Sequence, residues 1–422
     1  MSECRMIHAS AVATPWPNGS IFDLAVIEYS SPVRNESIHP ETFSAAGRTI
    51  ERAYANDRPE RAAEGCDGSY VILELSRRDP EAPLAYIEYY DEDGRVIPTG
   101  PDGGPVRRAG HQQGGHMGPP PMQMKRRPLK VTIRQVSAIS AADGTAAPAG
   151  EIVSDQSRMP LAEEFRQFTF DGIPYNLFIP KGADSGRKFP LVQFIHDAGP
   201  CGDDPLLTLI QGNGALNFAS PRDQELHPCF VLAPQVPRGE PLTRDSFQAS
   251  DLLERLKRLL DHVIASYPID TDRIYTTGQS MGCMSSCELN IRYPELFAAS
   301  LLVAGQWDPQ RMAALTGKNL WILVSQGDAK AFPGMNAVTA ALEENGAAIG
   351  RYWWDGKASE EEHNQAVQEA LADPVHIRYT VFTDSSVVPE GTPANPGSNH
   401  MSTWPVVYSI SALRDWLLSQ SL

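Results

Sequence analysis

Between residues 20 and 140 apolar and polar positions alternate in short bursts. Residues 21–29, 48–54, 69–75, 84–90 and 129–136 are rich in Val, Ile and Tyr, and Gly, Pro, Asn and Asp separate them. No helical period runs through the intervals, so the pattern predicts a β-sandwich over 20–140. Residues 1–19 read as an N-terminal tail and 141–160, small and polar, as a linker. A Gly- and Pro-rich stretch at 98–128 interrupts the sandwich pattern and is expected as a long mobile hairpin loop. Its His111, His116, Met117, Met122 and Met124 suggest a soft-metal site, against which a plain loop is the stronger reading.

The pattern changes over residues 161–422. Residues 165–170 and 175–180 flank an Asp171-Gly172 turn and read as a hairpin. Continuous apolar runs follow at 189–195 and 229–233, and 273–277, 299–303, 320–325 and 377–382 read as further strands of a buried sheet. Between them, 250–266 carries Leu252, Leu253, Leu256, Leu259, Leu260, Val263 and Ile264 on one helical face, and 281–293, 335–344, 360–372 and 409–418 also read as helices. Strands alternating with helices predict a mostly parallel sheet with helices on both faces. The fold class expected from the pattern is therefore α/β, a mostly parallel sheet with helices on both faces, preceded by an all-β sandwich.

Length agrees with two domains, since 422 residues exceed one ordinary domain. The formal charge is −16, with 36 basic against 52 acidic residues, and the basic runs are as short as Lys125-Arg126-Arg127. That argues against a nucleic-acid partner and for solubility. No apolar stretch approaches the roughly 18 residues of a membrane helix, and no membrane partner is expected. The first residues lack a basic start and an apolar run, so the expectation is a cytoplasmic protein, or a secreted one whose leader is already removed. The six cysteines, Cys4, Cys66, Cys201, Cys229, Cys283 and Cys287, show no metal-binding spacing and read as free thiols, with a Cys201–Cys229 disulfide left open. Cys66 has no partner for an Ig disulfide. Cys283 and Cys287, four apart, read as helix packing.

The chemistry concentrates at Gly278-Gln279-Ser280-Met281-Gly282, where the 273–277 strand meets a helix. A nucleophile elbow needs this pattern: the serine occupies a strained turn, and side chains two positions to either side would strike the neighbouring strand and helix. The five letters arise by chance in roughly one chain in seven of this length, so the strand before and helix after carry the weight. A serine hydroxyl needs a base, and the α/β-hydrolase fold, which such an elbow marks, orders its groups Ser, acid, His. Of His363, His376 and His400, only His400 is expected in a loop beyond the 377–382 strand. Asp328 is the carboxylate at the end of the 320–325 strand and the candidate acid; Asp355 and Asp384 are alternatives. The amide of Met281 is one oxyanion donor, and the loop His196-Asp197-Ala198-Gly199 offers a second, by position Ala198, with Asp197 possible. His196 reads as a brace for that loop. Asp197, Gln279, Trp307 and Trp404 are candidate pocket residues, and Trp353 and Trp354 further aromatic ones, although packing accounts for most tryptophans.

The segments FPLVQFIHDAG, HPCFVLAPQ, RIYTTGQSMGCMSS and GSNHMSTW resemble the predicted peptidases and esterases related to polyhydroxybutyrate depolymerases, some of which carry an Ig-like N-terminal domain. The resemblance spans roughly residues 20–90 and 125–422. It implies a carboxylesterase-type acyl hydrolase with Ser280, Asp328 and His400 at the triad positions. Two departures stand out. Relatives often have His-Gly where this chain has His196-Asp197, and they commonly place the acid three residues after a glycine, here Lys330, so the acid reads as displaced to Asp328. The function expected is cleavage of small acyl esters or ester-decorated polysaccharides, without metal or organic cofactor. A serine peptidase of the same fold and a binding protein on an inactive scaffold are the alternatives. A homo-oligomer is possible.

Overall fold

The computed structural model describes residues 4–91, 93–99 and 122–422. The chain divides into two compact units, Met1–Tyr86 with Arg126–Glu163, and Ile87–Lys125 with Glu164–Leu422.

The first unit is a sandwich. One sheet runs in the order Gln156–Arg158, Met6–Trp16, Gly19–Val33, Gly68–Leu75, Ile50–Asn56, and a second pairs Gly150–Val153, Thr132–Gln135 and Phe43–Ala45. Ala11, Ala25, Ile27, Val71, Leu73 and Ile133 are buried in it. The buried phenol of Tyr29 donates to Gln135 Oε1 at 2.7 Å, which gives both polar groups a partner.

Three boundaries differ from the sequence reading. Residues 6–16 are a long interior strand rather than a tail. Its buried positions are largely Ala9, Ala11 and Ala13, small side chains that give a weak apolar alternation. Residues 150–153 and 156–158 are strands rather than linker, held by backbone pairing to Thr132–Gln135 and Met6–Trp16. Ala85–Tyr90, half-buried throughout, belongs to neither of these sheets and forms a small one with Val96–Ile97 and Met122–Arg126. Met122 and Met124 lie in that ribbon, while His111, His116 and Met117 lie outside the described residues. Among the described residues no three His, Cys, Asp or Glu side chains converge to hold a metal, and no helix is long and apolar enough to cross a membrane.

The second unit contains a nine-stranded sheet. Its strands in chain order are β1 Phe165–Phe170, β2 Ile173–Phe178, β3 Phe189–Ile195, β4 Phe230–Pro234, β5 Ile269–Gln279, β6 Ala299–Val303, β7 Leu320–Ser325, β8 Ile349–Trp354 and β9 Ile377–Phe382. The spatial order is β1-β2-β4-β3-β5-β6-β7-β9-β8, parallel except that β2 runs antiparallel to both of its neighbours, β1 and β4. Asp171 and Gly172 turn that hairpin with φ +48° and +72°, the left-handed pair that a two-residue turn of this hand requires. Helices α1 Asp251–Ser266, α2 Met281–Arg292 and α3 Ala331–Glu344 pack a shared core on one face, through Leu256, Cys287 and Met335 among others. On the opposite face lie α4 Glu360–Leu371, α5 Pro396–Ser409 and α6 Ser411–Ser419, where Trp416 packs edge-on to Trp321 and the Tyr408 hydroxyl bonds Thr277.

β8 is an edge strand absent from the sequence reading. Its half-buried positions give no continuous apolar run; Trp353 is exposed, whereas Trp354 packs on Trp321 and Phe382. All six cysteines are free thiols, so the Cys201–Cys229 bridge is not made; Cys229 instead packs against Gln224 and the Phe218 carbonyl.

Candidate active site

The site begins at the end of β5. Ser280 has φ +53° and ψ −114°, a conformation costly for a residue with a Cβ and held here by the junction of β5 with α2. The two glycines make that junction possible. A Cβ on Gly278 would lie 2.6 Å from the Ile195 carbonyl oxygen, and one on Gly282 only 1.9 Å from the same atom. With both absent, α2 presses against β3 and the serine hydroxyl stands clear of the sheet.

His400 comes from the opposite side. The sequence reading placed it in a loop; it lies instead in α5, one turn inside the helix start. Asn395 caps that helix in a reciprocal box with Ser398, and Pro396 takes the first position, where a missing N–H costs nothing. The Asn-Pro-Gly-Ser string that reads as a turn is thus a helix start. Buried Asn399 accepts the Ser325 hydroxyl at 2.8 Å, and Gly327 lies so close to it that a Cβ there would meet the Asn399 amide at 2.4 Å. This locks the β7 loop to the His400 helix. Trp404, edge-on to the imidazole at 5.3 Å between ring centres, fixes the ring's plane.

The structure brings Ser280, His400 and Asp328 into one line. His400 Nε2 lies 2.9 Å from Ser280 Oγ, and His400 Nδ1 lies 2.5 Å from Asp328 Oδ2. The other Asp328 oxygen accepts the amides of Lys330 and Ala331, each at 2.9 Å. Burial pushes the Asp328 carboxyl up, but the hydrogen bond and charge of His400 and these two amides outweigh it and hold the group below its usual range. Asp355 and Asp384 have other partners: the Asp355 carboxylate accepts the Lys357 amide, and that of Asp384 the Ser385 hydroxyl.

The loop after β3 is braced from within. His196 is buried and its Nε2 accepts the Val236 amide at 3.0 Å, so the proton must sit on Nδ1, which donates to the Asp197 carbonyl at 2.5 Å. Burial lowers the His196 pKa and keeps the ring neutral, as this pairing demands. In a trans peptide the N–H points opposite the C=O. Pinning the Asp197 carbonyl therefore fixes the direction of the Ala198 N–H. The Gly199 N–H is taken by Asp197 Oδ1 at 2.7 Å. Met281, first residue of α2, has an amide with no intrahelical acceptor.

A cavity of about 510 Å³ opens over these groups, lined by Ser280, His400, Asp328, Met281 and Ala198 among others. The remaining candidate pocket residues do not line it. Asp197 turns its carboxylate into the loop, with Oδ2 accepting Gln279 Nε2 at 2.9 Å, and Gln279 is buried. Trp307 is fully buried because its indole N–H finds an acceptor in Glu288 at 3.0 Å. Trp404 is buried behind His400. In their place the cavity wall uses residues to which the sequence assigns no pocket role: Thr243, Arg244 and Asp245 on the turn before α1, Met284, Gln306 and Lys330. The turn is tied to the elbow by the Thr243 hydroxyl, which donates to the Met281 carbonyl at 3.2 Å. Its segment has neither periodicity nor motif, so nothing in the sequence marks it.

Comparison with known proteins agrees with this architecture. Residues 8–148 match the family model of the esterase Ig-like N-terminal domain. Over the whole chain, the crystal structure of a thermostable esterase aligns with a TM-score of 0.76 at 24% identity, covering 98% of this chain and 100% of that one. The chain is an Ig-like domain joined to an α/β hydrolase. Among weaker matches, a carboxylesterase from Mesorhizobium loti aligns at 14% identity and TM-score 0.37, covering 61% of this chain and 99% of its own. An acetyl xylan esterase from Aspergillus awamori aligns at 17% and 0.33, covering 43% and 79%. No curated protein matches the chain significantly.

Proposed function

We propose that the α/β-hydrolase unit is a serine carboxylesterase acting on small acyl esters or ester-decorated polysaccharides. The observation that carries this reading is the continuous relay from Ser280 Oγ through His400 to Asp328, at 2.9 and 2.5 Å, on the floor of an open cavity. Ser280 attacks the ester carbonyl as His400 Nε2 takes its proton. Asp328 holds the imidazole with Nδ1 protonated and stabilises the imidazolium. The amides of Met281 and Ala198 receive the negative charge on the tetrahedral oxygen. His400 returns the proton to the leaving alcohol, and water then releases the acyl group by the same steps in reverse. The matched Ig-like domain, named for esterases, also supports this reading.

The departure at His196-Asp197 does not oppose this chemistry, because the Asp197 carboxylate is spent on Gly199 and Gln279 rather than aimed at the cavity. The test is hydrolysis of p-nitrophenyl acetate, butyrate and octanoate by wild type, Ser280→Ala and His400→Ala. The expected outcome is turnover that falls with acyl length and is lost in both variants. Hydrolysis that persists in Ser280→Ala would refute the proposal.

A further inference from the structure

The four charged residues that line the cavity, Arg244, Asp245, Asp328 and Lys330, differ in whether their side chains have partners. Asp245 is satisfied on both oxygens: Oδ1 accepts Gln306 Nε2 at 2.8 Å and Oδ2 meets Lys330 Nζ at 2.5 Å. Asp328 is satisfied on both as well, by His400 on one oxygen and the Lys330 and Ala331 amides on the other. Arg244 also lines the cavity and is exposed, yet no carboxylate or other acceptor among the described residues engages its guanidinium. In a chain of net charge −16, the one charged side chain of the cavity lining left without a partner among the described residues is therefore positive.

From this we infer that Arg244 selects esters that carry a carboxylate away from the scissile bond. The inference rests on the esterase reading and refines its substrate class. The arginine's planar fork suits a carboxylate, with two parallel charge-assisted hydrogen bonds. Its backbone is held for the task. Thr243 beside it is anchored to the Met281 carbonyl, and Asp245 on its other side is anchored to Gln306 and Lys330. Asp245 and Lys330 neutralise each other, so they add little net field for or against an anion. The reaction is unchanged: water is consumed, and the alcohol and a second carboxylate leave.

Two matched pairs of esters test this. p-Acetoxybenzoate against p-acetoxybenzamide places the extra carboxylate on the alcohol side; the p-nitrophenyl monoester of adipate against p-nitrophenyl hexanoate places it on the acyl side. For each pair the readout is the ratio of kcat/KM, anionic over neutral, in wild type, Arg244→Gln and Arg244→Lys. The expected result is a fall of about three- to tenfold in Arg244→Gln on one of the two pairs, most of it restored in Arg244→Lys. The wild-type preference should also fade toward about 1 M salt, where screening is nearly complete. An unchanged ratio in Arg244→Gln on both pairs, with neutral esters still hydrolysed, overturns the inference while leaving the esterase reading intact. A loss of equal size on both members of each pair also overturns it, since that marks a structural role. Failure of the neutral esters to react at all, or turnover by Ser280→Ala, defeats the esterase reading itself.

Discussion

Asp197 gives the sharpest test of the proposed oxyanion loop. Its carboxylate spans the loop, taking the Gly199 amide on one oxygen and Gln279 Nε2 on the other, at 2.7 and 2.9 Å. Hydrogen bonds to a charged group contribute about 1.5–3 kcal/mol each, and the side chain is half-buried, so roughly 3 kcal/mol of loop ordering is at stake. Asp197→Ala removes both bonds. His196 still holds the Asp197 carbonyl, so Ala198 is loosened rather than lost. Removing an oxyanion donor outright costs about 10²–10³ in kcat, and loosening one should cost about ten- to hundredfold. KM should hardly move, because the donor acts on charge that develops only in the transition state. Asp197→Asn should behave differently. Its oxygen can keep the Gly199 amide, and its new NH₂ would face Gln279, whose Oε1 is buried without a partner and can be turned to accept. The asparagine variant should therefore stay within about threefold of wild type. Steady-state kinetics on p-nitrophenyl acetate decides. Full activity in Asp197→Ala, or equal losses in both variants, would refute the hydrogen-bonding account of this loop.

Four further outcomes follow from the same geometry. Gly282→Ala places a Cβ 1.9 Å from the Ile195 carbonyl oxygen, so soluble yield and ester hydrolysis should both collapse; normal expression with normal activity would contradict the close approach. Arg414 pairs in the interior with fully buried Asp223 and donates to the Tyr408 carbonyl at the end of the His400 helix, so Arg414→Ala should cost about 3 kcal/mol, a Tm drop of roughly 10 °C by calorimetry. Exposed Arg222, which also reaches Asp223, should matter by less than about 1 kcal/mol. Asp328 has a carboxyl held below its ordinary 3.8, so the stability it adds is full above that value and is lost as pH falls through the lowered one. Urea unfolding of wild type and Asp328→Asn should show a gap that narrows below about pH 4; a gap that widens there would reverse the sign.

Much of the hydrolase unit was legible because its strands are buried on both faces. Residues 299–303, 320–325 and 377–382 form apolar runs whose ends coincide with the observed strands. β8 was not legible, since an edge strand with one exposed face lacks that signature. The elbow and the order of Ser280, Asp328 and His400 could be read from spacing, and the structure places the three side chains within hydrogen-bonding reach. The helix that carries His400 could not be read, because its Asn-Pro-Gly-Ser start uses the residues that also make turns. Trp307 and Trp404 sit at the sequence positions expected of pocket residues, but one indole N–H is drawn inward by Glu288 and the other ring packs edge-on behind His400. The cavity wall around Arg244 and Asp245 arises from contacts between segments as distant as Asp245 and Lys330, and no local pattern records those. In the sandwich, alanine-lined Met6–Trp16 and the polar strands near 150–158 are specified by backbone pairing rather than by an apolar alternation.

The central claim is that Ser280 is a nucleophile activated by His400. The most direct measurement is intact mass, followed by peptide mapping, after incubation with a fluorophosphonate. The account predicts a single adduct on the peptide containing Ser280, absent in Ser280→Ala and strongly slowed in His400→Ala. Folded protein that takes up no label, or labelling that persists in Ser280→Ala, would contradict it.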